Sequence, residues 1–268
     1  MSERNRALTF GALTAATLSC LTLLLVCPHR ADCVKALTQL DAWLGYGGRV
    51  VLPVVSISVA VWAGRLACIV LASQRWSRRL PPQPPTPALL EAIQRTGVPA
   101  VIQVAGGVPD AFCAGAIRPR IYVTEAALRC LGRDELDVVL LHEHDHVRRC
   151  EPMVRAAYQA ATDVFFYIPI LHWLAQRRVE ESELRADRAA LERLGRRPVA
   201  AALWTLGRGG ALQGTAAFGG VTELRVAQVL GDPVPRRSLT FSTVAASAMG
   251  LYLALQVASC LLPAFQRL

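Results

Sequence analysis

Two histidines one helical turn apart, with a glutamate directly after the first, occur in the run His142-Glu143-His144-Asp145-His146. On a helix, residues four apart share a face, so the imidazoles of His142 and His146 leave the same side and can grip one zinc ion. Glu143 then stands beside the metal's open position, where its carboxylate can take a proton from the activated water. That chemistry is metal-assisted hydrolysis, most often of a peptide bond. A zinc site of this type needs a third protein ligand. The run Glu180-Glu181-Ser182-Glu183-Leu184-Arg185-Ala186-Asp187 offers one, and in it Glu183 and Asp187 share a helical face. Glu183 is assigned as the third ligand, and Asp187 as the acceptor of a hydrogen bond that fixes a ligand histidine's tautomer. Glu180 and Glu181 are rivals, but neither has an aspartate four residues later. His144 lies about 200° around the helix from His142. It and Asp145 are expected on the outer face.

These groups must be held by two helices. Asp134-Glu135-Leu136-Asp137-Val138-Val139-Leu140-Leu141 leads into the motif, with acidic residues where a helix N-terminus favours them. Glu151-Pro152 marks its end, giving a helix of about five turns. Upstream, residues 80–87 are proline-rich and read as a stiff linker, followed by a short helix over 88–95. Strand-like runs at 100–104, 111–116 and 120–124 are separated by Gly106-Gly107, Pro109-Asp110 and Arg118-Pro119. They predict a small, mostly antiparallel sheet packed on the zinc helix. An exposed edge of that sheet could take an extended peptide by strand addition.

With 53% hydrophobic and 18% charged residues, the composition leans toward a membrane protein. Three uncharged or nearly uncharged runs, 8–27, 50–73 and 239–264, are long enough to cross a bilayer. The first reads as a retained anchor rather than a cleaved signal, and Arg65 alone interrupts the second. Arg4, Arg6, Arg75, Arg78, Arg79, Arg236 and Arg237 flank the spans so as to place the N-terminus and residues 80–238 in the cytosol. The expected organisation is an N-terminal membrane hairpin over 1–79, a zinc domain over 80–238 and a last span over 239–268. The net charge of +9 has no accompanying aromatic-basic platform or nucleic-acid-reading motif, so anionic lipid is the expected partner and direct nucleic-acid binding is not. Cys27 and Cys33 fall together on the outer side as a candidate pair, while the other cysteines read as small buried hydrophobes. Residues 156–175 are also apolar, but they separate His146 from Glu183. One crossing would put those two ligands about 30 Å apart. The segment is therefore expected to be buried, interfacial or re-entrant, bent near Pro169. His172 within it reads as a packing or interfacial residue.

Residues 111–124 (AFCAGAIRPRIYVT), the His-Glu-x-x-His motif, Arg148-Arg149-Cys150-Glu151-Pro152, the Phe165-Phe166-Tyr167-Ile168-Pro169 stretch and the Glu183/Asp187 pair together resemble the membrane metallopeptidases of the beta-lactam sensor and antirepressor family. More widely, the chain is similar to the prenyl-protease and heat-shock membrane proteases. The resemblance covers about residues 50–232. It implies a mostly α membrane protein with an α+β, gluzincin-like zinc domain and about three transmembrane helices. It also implies an inner-membrane zinc endopeptidase with a cytosolic active site, acting on a protein or peptide such as a transcriptional repressor. Sensing members carry a penicillin-binding domain after the last span. This chain ends at Leu268 near that span, so antibiotic sensing is not expected to carry over. The alternative is a catalytically silent, metal-stabilised signalling or assembly protein. An intact Glu143 speaks against it, since a structural site has no use for that carboxylate. A transporter is disfavoured by the few spans and the lack of internal repeats.

Overall fold

The computed structural model describes residues 51–99, 101–208, 219–235 and 237–265. The first expected span, the Cys27/Cys33 pair and Arg236 lie outside the described residues. Helix α1 (Leu52–Arg79) is followed by β1 (Pro82–Gln83), α2 (Pro87–Thr96), β2 (Val101–Val104), β3 (Ala111–Ala114) and β4 (Arg120–Thr124). Then come α3 (Glu125–Cys130), α4 (Arg133–Arg148), α5 (Glu151–Val164), α6 (Pro169–Leu194), α7 (Arg196–Arg208), α8 (Gly219–Leu230) and α9 (Phe241–Phe265). The described chain divides into two compact units.

One unit holds the described residues of 66–159 and 175–237, and α4 is its axis. Ten residues of α4 are buried, including the unbroken run from Leu136 to Glu143. A helix covered on nearly all sides must sit inside a layered domain. Leu136, Val139 and Leu140 join Leu89 and Ala92 of α2, Ile121 and Val123 of β4, Ala190 of α6, Val199 and Ala202 of α7 and Val229 of α8 in one apolar core. At its N-terminus the Glu135 carboxylate accepts the Gly132 backbone N–H at 3.1 Å, satisfying one orphan donor. The helix stops where Cys150 takes a left-handed φ of 51°, and α5 begins at the next residue. The chain thus turns sharply just after the histidines, with Pro152 in the first turn of α5, where its missing N–H costs nothing.

The sheet is mixed, departing in one pairing from the mostly antiparallel expectation. Its order is β1-β2-β4-β3, with β2 parallel to β4 and the two outer pairs antiparallel. Burial sets this order. Ile121, Tyr122, Val123 and Thr124 of β4 are all buried, as a strand covered on both faces requires, so β4 takes a central place. The β3–β4 hairpin therefore docks through its second strand, and β3 is left at the edge. The proline-rich stretch is more than a linker, because Pro82 and Gln83 add an edge strand opposite Val104 and Gln103. An edge is where a strand tolerates proline.

The second unit holds the described residues up to Arg65, residues 160–174 and those from 238 onward. Residues 156–175 do not form one continuous helix: α5 ends at Val164, a turn follows, and α6 restarts at Pro169. Pro169 lacks an N–H to give and suits that first helical position. Arg65 and Asp163, the costly charges of two apolar segments, meet at 2.8 Å. The Ile170 N–H donates to Ser247 Oγ at 2.9 Å, and Gly250 lies so close to the Tyr167 carbonyl that a side chain there would collide with it. Among the described residues, two helices are long and apolar enough to cross a membrane: α1, with mean hydropathy 2.1, and α9, with 1.4 over residues Phe241–Ala258. They fall on the second and third expected spans. His172 is exposed.

Candidate metal centre

Helices α4 and α6 bring His142, His146 and Glu183 together, all three buried. His142 Nε2 lies 3.1 Å from His146 Nε2 and 3.4 Å from Glu183 Oε2, and His146 Nε2 lies 3.7 Å from Glu183 Oε1. Zinc–nitrogen and zinc–oxygen bonds of about 2.0–2.1 Å at tetrahedral angles separate ligand atoms by about 3.3 Å. The three measured separations bracket that value, and the three groups form a set that could hold a metal ion. The donors also fit by type, since two imidazoles and a carboxylate suit a borderline-soft divalent cation. Glu180 and Glu181 are not in this cluster. Glu180 pairs with Arg237 at 2.9 Å and Glu181 with Arg177 at 2.7 Å.

Asp187 lies 2.8 Å from His142 Nδ1. It accepts that N–H and leaves Nε2 turned toward the cluster. Two arginines that no motif or spacing singles out complete the arrangement. Arg225, on α8, forks onto Asp187 with 2.7 and 2.8 Å hydrogen bonds and reaches Glu183 Oε2 at 3.3 Å. Arg155, on α5, donates to Glu183 Oε1 at 2.6 Å, while its buried Nε makes no hydrogen bond among the described residues and lies 3.9 Å from Glu151 Oε1. Their signal is one of charge balance only: two buried carboxylates beside each other demand cations, and no spacing says which.

Asp145 corrects an expectation. It is buried, pairing with Arg149 at 3.1 Å and Arg185 at 3.2 Å. Three residues on a helix advance 300°, so Asp145 lies only about 60° from His142 and faces α6, not solvent. His144 is half-buried, and its Nδ1 makes no hydrogen bond among the described residues. Glu151 is buried too, held by Arg178 at 3.1 Å and Arg185 at 3.5 Å.

Glu143 points into a cleft of about 360 Å³ whose walls include β3, α4, α5, α7 and the three candidate ligands. Burial first, and then Glu183, push the Glu143 carboxyl up to about 7, against the pull of His142. Burial and Arg225 oppose a proton on His142, but its hydrogen bonds to Asp187 and Glu183 prevail and hold its pKa at about 9. His146 is driven down to about 3 by burial and by the charge on His142. Burial works against the charge on Asp187, yet His142 and Arg225 take its pKa down to about 2. Glu183 stays ionised in the same way, held well below the usual range by His142 and Arg225 despite its burial. Cys113, on the cleft wall, is pushed up to about 12 by burial and Glu143, so its thiol remains protonated and does not compete as a ligand.

Without metal, then, His142 carries a proton on the nitrogen that would coordinate a bound ion. Metal uptake near pH 7 is expected to release about one proton per site, and affinity to rise about tenfold per pH unit up to about pH 9. The sign follows from the raised His142 pKa, since the competing proton is lost only as pH climbs through 9. Calorimetric zinc titrations in buffers of different ionisation enthalpy measure the release. An affinity unchanged from pH 7 to 9 would rule this reading out.

Comparison with curated proteins and with solved structures gives no match. A family model does match: the one described as BlaR1 peptidase M56, over residues 30–201. That span is well over half of the 268-residue chain and contains His142, Glu143, His146, Glu183 and Asp187, although Arg225 lies beyond it. On this match, with the clustered His142, His146 and Glu183 consistent with a metallopeptidase, the chain belongs to the BlaR1 peptidase M56 family.

Proposed function

We propose that the chain is an integral-membrane, zinc-dependent endopeptidase that hydrolyses peptide bonds at the cytosolic face of the membrane. The observation that carries this reading is the convergence of three ligand atoms from α4 and α6 beside a buried, cleft-facing Glu143. His142, His146 and Glu183 hold the ion, and Asp187 fixes the His142 tautomer. When bound, zinc supplies a Lewis acid that lowers the pKa of water toward about 7 and polarises the scissile carbonyl. Glu143 accepts the proton of the attacking water and later delivers it to the leaving amine. Its raised pKa suits both tasks near neutrality.

The cleft-lining cations are Arg155 and Arg225. Arg225 is committed to Asp187 through two hydrogen bonds. Arg155 Nε makes no hydrogen bond among the described residues, and we assign it to donate to the carbonyl oxygen as charge develops there. The substrate lies extended along β3, the edge strand on the cleft wall, pairing through main-chain groups. The membrane hairpin over 1–79 and the last span over 239–268 anchor a catalytic region over 80–238, and a membrane-associated protein or a transcriptional repressor is the natural target class.

The test uses the full-length protein in detergent with a casein panel. Hydrolysis is expected to stop on metal chelation and to return with about one equivalent of zinc. Undiminished hydrolysis after metal depletion sinks the metallopeptidase reading. A metal-loaded protein inert on every substrate favours the alternative of a metal-stabilised signalling or assembly protein.

A further inference from the structure

We propose that the β3–β4 turn, residues 115–119, docks into an anionic phospholipid surface, so that the edge strand of the catalytic cleft lies at the face of the bilayer. This rests on the reading of α1 as a membrane span. From Leu66 to Ala72, α1 is apolar; Arg75, Arg78 and Arg79 then follow, with Trp76 among them, exposed. Arginines and an amphipathic aromatic after an apolar run mark a membrane–water boundary.

Strand β3 is tied to this helix at two heights. The Phe112 ring centre lies 5.4 Å from that of Trp76. Four residues later, Ala116 is buried against Leu66, Ile69 and Val70, together with Ala156 and Met153 of α5. The two contacts lie about eight helical residues apart on α1, from Trp76 back toward Leu66, Ile69 and Val70, a rise of about 12 Å. The strand therefore runs alongside α1, away from its basic end and toward its apolar part. Ile69 lies six residues before Arg75, about 9 Å along the axis. That is the depth at which the headgroup layer meets the acyl chains.

At this depth the turn presents Ile117, 64% exposed, with Arg118 and Arg120 exposed beside it. None of Arg75, Arg78, Arg79, Arg118 and Arg120 forms an ion pair among the described residues. An apolar tip with arginines behind it is complementary to acyl chains beneath an anionic headgroup layer, where long side chains carry their charge back to the phosphates. The turn is also preformed. Gly115 holds a φ of 93°, and a Cβ there would lie 2.8 Å from the Arg118 carbonyl oxygen. Val108, at the other end of β3, is 56% exposed but is flanked by glycines, proline and Asp110, with no arginine. It makes the internal control.

The experiment places photoreactive p-benzoylphenylalanine at position 117, 108 or 59 of the full-length chain in phosphatidylglycerol vesicles and reads lipid adducts by mass spectrometry. Val59 is 54% exposed on α1 and reports the span itself. Positions 59 and 117 are expected to label lipid, and position 108 about tenfold less. Adding Arg118→Glu and Arg120→Glu lowers the yield at 117 by roughly fivefold per arginine, and this loss disappears in phosphatidylcholine vesicles. If 59 labels but 117 labels no better than 108, or reaches only protein, the docking proposal is overturned and the span stands. If 59 fails to label, the span and the proposal fall together.

Discussion

Replacing Glu143 with glutamine leaves the metal in place and lowers peptide hydrolysis by about 10³-fold. The two side chains are nearly isosteric, and Glu143 is not among the three clustered ligands, so metal content and cleft shape persist. What disappears is the proton acceptor. Stability should move the other way. The carboxyl is buried and its pKa is raised from 4.5 to about 7, so its ionisation costs stability increasingly between those values and in full above about 7, and a neutral amide removes the cost. The variant is expected to melt no lower than the parent at pH 8, and higher when metal-free. The pH profile gives a second readout. A base with a raised pKa is consumed by protonation as pH falls through it, so parental activity declines on the acid side, with the metal-free value of about 7 as the upper limit of that limb. A bound cation moves this limb to lower pH, and any residual hydrolysis by the variant lacks the limb altogether. Measurements of turnover, zinc per chain and melting temperature on the same preparation decide the matter. Full turnover in the glutamine variant removes the general base from the scheme.

The pairing of the candidate ligands was legible because helical geometry is local. Four-residue spacing puts His142 over His146 and Glu183 over Asp187 whatever surrounds them, and the structure joins both pairs, with His142 bonded to Asp187 at 2.8 Å. Asp145 was misplaced by the same kind of reasoning applied too coarsely, since a three-residue step returns almost to the starting face. The sheet order required knowing what covers each strand. Ile121-Tyr122-Val123 has no polar alternation, a local sign of a strand buried on both faces, but it does not say which neighbour lies beside it. Arg155 and Arg225 were out of reach in principle. Arg225 stands 38 residues beyond Asp187 on a separate helix, and only the tertiary fold converts that separation into a 2.7 Å contact.

Charge balance gives those two arginines their importance. His142, Asp187, Glu183, Arg225 and Arg155 form one chain of contacts in which every carboxylate touches at least one arginine. Such a network keeps both acidic groups ionised inside the protein, so the site carries its ligand charge before any cation arrives. It also orients them. The fork of Arg225 leaves Asp187 Oδ1 shared with the His142 ring, and the Arg155 bond turns one Glu183 oxygen toward α5. Lysine could neutralise either carboxylate but could not span two oxygens in this way.

Arg225→Met is accordingly expected to make stability strongly dependent on metal. Methionine fills similar volume but leaves Asp187 without its bidentate partner and Glu183 with one cation fewer, both carboxylates remaining buried. Breaking a buried pair from one side costs about 3–5 kcal/mol, because the abandoned charge stays out of water. In chelator the melting temperature should fall by roughly 10 °C. A divalent cation on His142, His146 and Glu183 replaces much of the missing positive charge, so with saturating zinc the loss should shrink to less than half of that. Arg225→Lys, which keeps the charge and loses the fork, should fall between parent and methionine variant in chelator. Its hydrolysis should be reduced as well, because the His142 ring is less firmly held by a carboxylate that can now rotate. Thermal melts of parent and both variants, with zinc and with chelator, provide the comparison. Equal destabilisation in the two conditions would mean that Arg225 serves packing alone and that the cation and the guanidinium do not share the task of balancing these acids.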